Sequence, residues 1–226
     1  MRTLRMFGYG FLAVVLVLYL AAAGLDPLAV GLVLTLTLVG DIVISLWLTT
    51  NADRFGRRRV LIAGSLLMLL AGIVFAATSW LPLLILAGAI GVVSPTGNEV
   101  GPFLAIEQAA LTQTVPDRRR TPTFAWYNLA GYVATAAGAL GAGIVSQALL
   151  DGGWAPVDAY RAIVVGYAVI GLLVSITASL GAAFISANQV NLQGALGVGP
   201  AEVAWIPVVF VMTNACMNLL LIKFRQ

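Results

Sequence analysis

Histidine is absent from the 226 residues, and cysteine occurs once, at Cys216 inside an apolar run. Without imidazole there is no Ser-His-Asp triad, no HExxH zinc site and no imidazole proton shuttle. A lone thiol among scattered carboxylates offers no metal-ligand spacing and no disulfide partner within the chain. No metal and no cofactor is expected, and the chain does not read as an enzyme. Asp41 follows Gly40, but a second aspartate in a Gly-x-Gly-Asp context is missing, so paired-acid proteolysis has no support either. Charge is nearly as scarce: acids and bases make up 9% of the chain, whereas 61% is hydrophobic and the mean hydropathy is +1.00. Such a composition lies far outside that of soluble domains. It describes an all-α, polytopic membrane protein whose main partner is the lipid bilayer, and a net charge of +3 held in loop arginines offers no basic solvated face for nucleic acid.

A hydrocarbon core about 30 Å thick needs roughly 20 apolar residues per span, which allows about six or seven spans here. The first runs from Met6 to Leu25 behind Arg2 and Arg5. It resembles a signal peptide in its basic start and its Ala21-Ala22-Ala23-Gly24 end, but its length and the spans that follow favour an uncleaved helix. Asp26-Pro27 predicts a tight outer turn with Pro27 at a first helical position, opening a second span over Leu28–Thr50. A third covers Val60–Trp80. The fourth begins near Leu83, breaks at Ser94-Pro95-Thr96-Gly97 and reads as helical again from Asn98 to Thr114, with Pro102 tolerable only near its start. The fifth, Phe124–Leu150, contains Ala137, Ala139, Gly141 and Gly143 at the four-residue spacing that lets helices approach closely in lipid. The sixth runs from Ala162 to Ile185; Ser186–Glu202 is polar, and a seventh apolar run covers Val203–Ile222.

Basic residues fix the orientation. Four arginines lie between the second and third spans, three follow the fourth, two precede the first, and the outer loop Asp151–Arg161 holds one. This positive-inside bias places the N-terminus in the cytoplasm, and a bacterial plasma membrane is the expected residence. Counting spans puts Lys223 and Arg225 outside, against this bias, so either the seventh run crosses against its own charge, or it re-enters or lies at the inner interface, or the chain stops before the element that would resolve the conflict.

The loop Asp53-Arg54-Phe55-Gly56-Arg57-Arg58-Arg59, two spans into the chain, resembles the signature of the major facilitator superfamily, Gly-x-x-x-Asp-Arg-x-Gly-Arg-Arg/Lys. An arginine cluster alone marks only topology; the ordered Asp-Arg-x-Gly-Arg-Arg at this place is what is specific. Thr49 stands where the family has its leading glycine, Ala87 near where a membrane arginine is expected, and the antiporter Gly-Pro pair is missing from Gly138 to Gly143. The resemblance implies a six-helix N-terminal bundle over residues 1–182. Residues 183–226 form the polar loop and seventh segment, of which 186–226 is weakly similar to the region of spans 1 and 2 in fourteen-span drug exporters, as in a truncated or fused chain. It implies a secondary transporter that moves a small solute by alternating access, with proton-coupled efflux as one form, working as a dimer or with a missing C-terminal half. A membrane protein that folds but transports nothing is the alternative.

Within that frame Asp53, Arg54, Gly56, Arg57 and Arg58 form the gating motif. Asp53 is suited to cap the third span or pair with an arginine, Gly56 to permit the turn, and Glu107 is the expected acidic partner of the motif. Asp41 and Glu99 are different. Counted along continuous helices they lie roughly 18 to 22 Å from the inner ends of their spans, where an ionised carboxylate is expensive. They are the candidates for proton coupling or solute binding, with Asn98, Tyr127 and Asn128 lining the same cavity.

Overall fold

Apolar runs of this length have no soluble solution, and the chain resolves them as helices packed on one another. The computed structural model describes residues 1–99, 101–115 and 117–196, apart from the side chains of Asp53, Arg57, Arg58, Ala110, Gln113, Thr114, Arg119 and residues 180–196. The helices are α1 (Arg2–Ala22), α2 (Pro27–Thr50), α3 (Ala52–Phe55), α4 (Arg57–Ala77), α5 (Leu81–Ile90), α6 (Phe103–Thr114), α7 (Asp117–Asp151) and α8 (Pro156–Leu196). Five of them, α1, α2, α4, α7 and α8, are long and apolar enough to cross a membrane. α5 and α6 have 10 and 12 residues, about 15 and 18 Å at 1.5 Å per residue, so neither spans alone. Together they form the broken fourth span.

Local chemistry explains the ends. The Asp26 carboxylate accepts from the Ala29 amide at 3.3 Å, and Pro27 stands at the first helical position, where its missing N–H is no loss. Gly56 has φ 90°, with open space where a Cβ would stand. The turn between α3 and α4 therefore calls for glycine by backbone conformation rather than by crowding. α4 has Gly56 at its cap position, not Asp53, which lies within α3. α8 continues to Leu196, past the helix end expected at Ile185; polar residues end the membrane-compatible composition there without ending the helix. The seventh run, Cys216 and the part of the stretch resembling drug exporters beyond Leu196 lie outside the described residues.

α1 is the central helix. It packs against α7 and α8, while α4 lies against α8 and α5, and α2 against α5. Its buried face, Met6, Tyr9, Leu12, Val15, Leu16, Tyr19 and Leu20, joins Met68, Phe75, Ile163 and Tyr167 in one core. The α1–α7 crossing is tight at two glycines. A Cβ on Gly10 would come within 2.0 Å of the Thr135 carbonyl oxygen, and one on Gly138 within 2.1 Å of the Phe7 carbonyl oxygen. Part of the small-residue run in α7 thus serves contact with α1, while Gly143 meets nothing within 4 Å. A second, smaller cluster joins Leu48, Ala52 and Val60 around the motif loop to Ile106 of α6.

Candidate functional site

The interruption between α5 and α6 is the most irregular backbone among the described residues. α5 closes at Ile90; Val92 adopts φ 53°, Gly97 φ 73° and Gly101 φ 82°. A β-branched residue in the left-handed region is strained, at a cost of about 1 to 3 kcal/mol, and persists only where its surroundings hold it. Here the Tyr167 hydroxyl donates to the Val92 carbonyl at 3.3 Å, and the buried Ser94 hydroxyl donates to the Asn98 carbonyl at 2.7 Å. Helix resumes only at Phe103, later than the Asn98 expected from the sequence, because Gly101 is left-handed and Pro102 stands at the cap position. Backbone of this kind is tolerated at membrane depth only where protein or a wet cavity covers it.

What covers it is a buried cluster of charges. Arg5 of α1 is fully buried, and its guanidinium donates to both oxygens of Glu107 at 2.9 and 3.1 Å. It also pairs with Glu99, in the break. Arg2, one turn earlier and the first residue of α1, donates from Nε to the second Glu99 oxygen at 2.9 Å. Glu99 therefore bridges two arginines, and its side chain is 5% exposed. It lies level with the start of α1, not at the depth of roughly 18 to 22 Å counted along a continuous helix. Each cation also lies over a ring: Arg2 is 3.7 Å from the centre of Tyr127, and Arg5 is 4.1 Å from that of Phe103. The Tyr127 hydroxyl donates to Glu107 at 2.6 Å, its carbonyl accepts from Arg2, and the Asn128 side-chain oxygen accepts from Arg2 at 3.4 Å. With two cations and two carboxylates, the cluster sums to zero. Charge-assisted bonds on nearly every polar atom are what make such a burial tolerable.

Asp41 reaches the same break from α2. Its Oδ1 accepts from the Ser45 hydroxyl at 3.0 Å and from the Gly101 amide at 2.9 Å, so it holds the backbone just before α6. Gly40 lets α2 come this close, since a Cβ there would lie 2.3 Å from the Ala89 carbonyl oxygen.

Of the residues singled out by sequence, Glu99, Glu107, Tyr127 and Asn128 meet around Arg2 and Arg5, and Asp41 touches the same segment. Asn98 does not join them: its side chain is exposed and its amide donates to Thr96 at 3.2 Å. Glu107 finds partners other than those expected, Arg5 and Tyr127, while the side chains of the expected motif partners Arg57 and Arg58 lie outside the described residues. The reason is geometric: α1 occupies the middle of the bundle and presents Arg5 directly to α6. Of the gating motif, Arg54 and Gly56 lie at the α3–α4 turn, while the side chains of Asp53, Arg57 and Arg58 fall outside the described residues. Arg2 and Arg5 are the residues that sequence reasoning passed over as orientation signals. Their spacing with Tyr9 (i, i+3, i+7) on one helix face was the available clue.

Comparison with known families matches residues 1–224 to the Major Facilitator Superfamily. An uncharacterized membrane protein of Saccharomyces cerevisiae, YJR124C, is 40% identical over 155 residues, which cover 69% of this chain and 35% of that protein. The chain thus matches about a third of the length of that curated relative. No solved structure matches the chain.

Proposed function

The chain belongs to the major facilitator superfamily, and from that premise we propose that it carries out secondary transport of a small solute by alternating access, coupled to protons. The observation that carries this reading is the buried cluster of Arg2, Arg5, Glu99 and Glu107 closed over the α5–α6 break. Ionisable groups buried inside a membrane bundle at a discontinuous helix are the physical requirements of a solute and proton site. α6 supports coupling between site and gate, because it carries Glu107 into the charge cluster and Ile106 into the apolar cluster around the motif loop. A shift of α6 would act on both at once. Asp53, Arg54, Gly56, Arg57 and Arg58 then serve as the latch of the inner face, with the N-terminus cytoplasmic.

Rocking of one bundle requires a second to rock against, so the working unit includes either another copy of this chain or a further bundle. Flux into proteoliposomes tests the reading. With the full chain reconstituted, solute movement is expected to respond to an imposed pH gradient. Absence of flux for anionic, neutral and cationic solutes, in vesicles holding folded and associated protein, would remove the proposal.

A further inference from the structure

We propose that the transported solute carries an anionic group, which takes the place of the Glu99 carboxylate between Arg2 and Arg5, and that one proton is taken up by Glu99 as the anion binds. This rests on the transport reading and names the solute class for the same site. Three features support it. A carboxylate held only for structure needs one cation, yet Glu99 bridges two, while Arg5 is already matched at two points by Glu107. The two guanidiniums have aromatic rings against one face each and converge edge-on at Glu99, a planar fork suited to carboxylate or phosphate. Arg5 Nε is buried with no hydrogen-bond partner among the described residues, so the fork keeps donor capacity that Glu99 and Glu107 do not use.

Glu99 is also the anion free to leave. It stands outside any helix, between Gly97 and Gly101, both in the left-handed region, so its side chain can swing without unwinding a helical turn. Glu107 sits within α6 and is held by Tyr127 as well as Arg5. Charge conservation then dictates the proton. The groups facing Glu99 are Arg2, Arg5 and Tyr9 from α1 and Tyr127 from α7, with Glu107 of α6 sharing Arg5 and Asp41 of α2 facing Tyr9; the N-terminal amino group, partly buried, faces Glu107 and Arg5. If Glu99 left its arginines still ionised, the buried region would hold an unpaired anion. A proton from water converts it to the neutral carboxyl, which raises the charge of the cluster by one, and a monoanion returns it to its resting value.

Titration calorimetry on the full chain in nanodiscs, with the monoanions benzoate and dimethyl phosphate as probes and neutral benzamide as control, tests the assignment. Benzoate or dimethyl phosphate is expected to bind and benzamide not, with affinity rising about tenfold per unit fall in pH and one proton taken up per anion, read from buffers of different ionisation enthalpy. Glu99→Gln should bind the anion with no proton uptake and no pH slope, and Arg2→Gln should weaken binding about tenfold or more. The assignment is overturned if neither anion binds at any pH, if benzamide binds equally well, or if Glu99→Gln keeps the wild-type slope. Should Glu99→Gln not fold, the wild-type proton count and Arg2→Gln decide alone. Flux of neutral or cationic solutes without anion binding would overturn this assignment and leave transport standing; anion binding without flux of any solute would do the reverse.

Discussion

Replacing Arg5 by methionine keeps most of the aliphatic length over Phe103 and removes the charge that joins the two carboxylates. Glu99 retains Arg2, but Glu107 is left with the Tyr127 hydroxyl as its sole remaining partner among those described. Breaking one side of a buried pair costs about 3 to 5 kcal/mol. The variant has a cheaper escape, which is to fold with Glu107 protonated. From an ordinary glutamate value of about 4.3, that costs roughly 3.7 kcal/mol at pH 7, at about 1.4 kcal/mol per pH unit. The two limits agree, so Arg5→Met should lose about 3 to 4 kcal/mol at pH 7. The sign with pH follows: the folded variant holds a proton that its unfolded chain has released, so the deficit grows as pH rises above about 4.3 and falls to about 1 kcal/mol near pH 5. Adding Glu107→Gln removes the orphaned charge, and the double variant should recover about 2 to 3 kcal/mol of the loss. Reversible unfolding in mixed micelles, read by circular dichroism at both pH values, measures all three. A single variant within about 1 kcal/mol of wild type at pH 7, or a double variant no better than the single, would refute the view that these charges are mutually dependent.

The helix contacts and the remaining polar bonds give further expectations. Gly10→Ala and Gly138→Ala press a methyl group against backbone carbonyls of the neighbouring helix and should each lower stability by about 1 to 3 kcal/mol, whereas Gly143→Ala, facing open space, should stay within about 0.5 kcal/mol; thermal melts of the three variants compare them directly. Tyr127→Phe removes a hydrogen bond to a charged group and should cost about 1.5 to 3 kcal/mol by the same melts, with Asn128→Ala much milder because its contact with Arg2 is long. Asp41→Asn keeps an acceptor for Ser45 and Gly101 and should remain within about 1 kcal/mol of wild type, while Asp41→Ala leaves the Gly101 amide unmet and should lose about 1 to 3 kcal/mol.

The sequence shows much of the fold because its strongest signals are local. Asp26-Pro27 is a helix start wherever it lies, and Ser94-Pro95-Thr96-Gly97 cannot continue a helix whatever packs against it. The extent of that break was harder to see: Gly101 and Pro102 together delay α6, and a glycine's choice of the left-handed region is made by its surroundings. Residues Ser186–Leu196 read as a loop on polarity, yet polarity governs burial in lipid rather than helix formation, and they extend α8. The site was half legible. Glu99 and Asp41 stood out because a carboxylate in an apolar run is costly. Arg2 and Arg5 did not, since an arginine beside the first span is already accounted for by orientation. Their partners lie 94 to 102 residues away for Arg5 and 97 to 126 for Arg2, and only the packing of α1 at the centre of the bundle brings them together. The same packing brings Arg5 and Tyr127 to Glu107, a pairing that chain order does not show.

The most direct measurement is concentrative solute movement in proteoliposomes under an imposed pH gradient, compared between the wild-type chain and Glu99→Gln. Glu99 links the arginines, the break and the proton, so the wild type should accumulate solute against its gradient, and Glu99→Gln should only equilibrate it. Equal, gradient-driven accumulation by both would contradict the account at its centre.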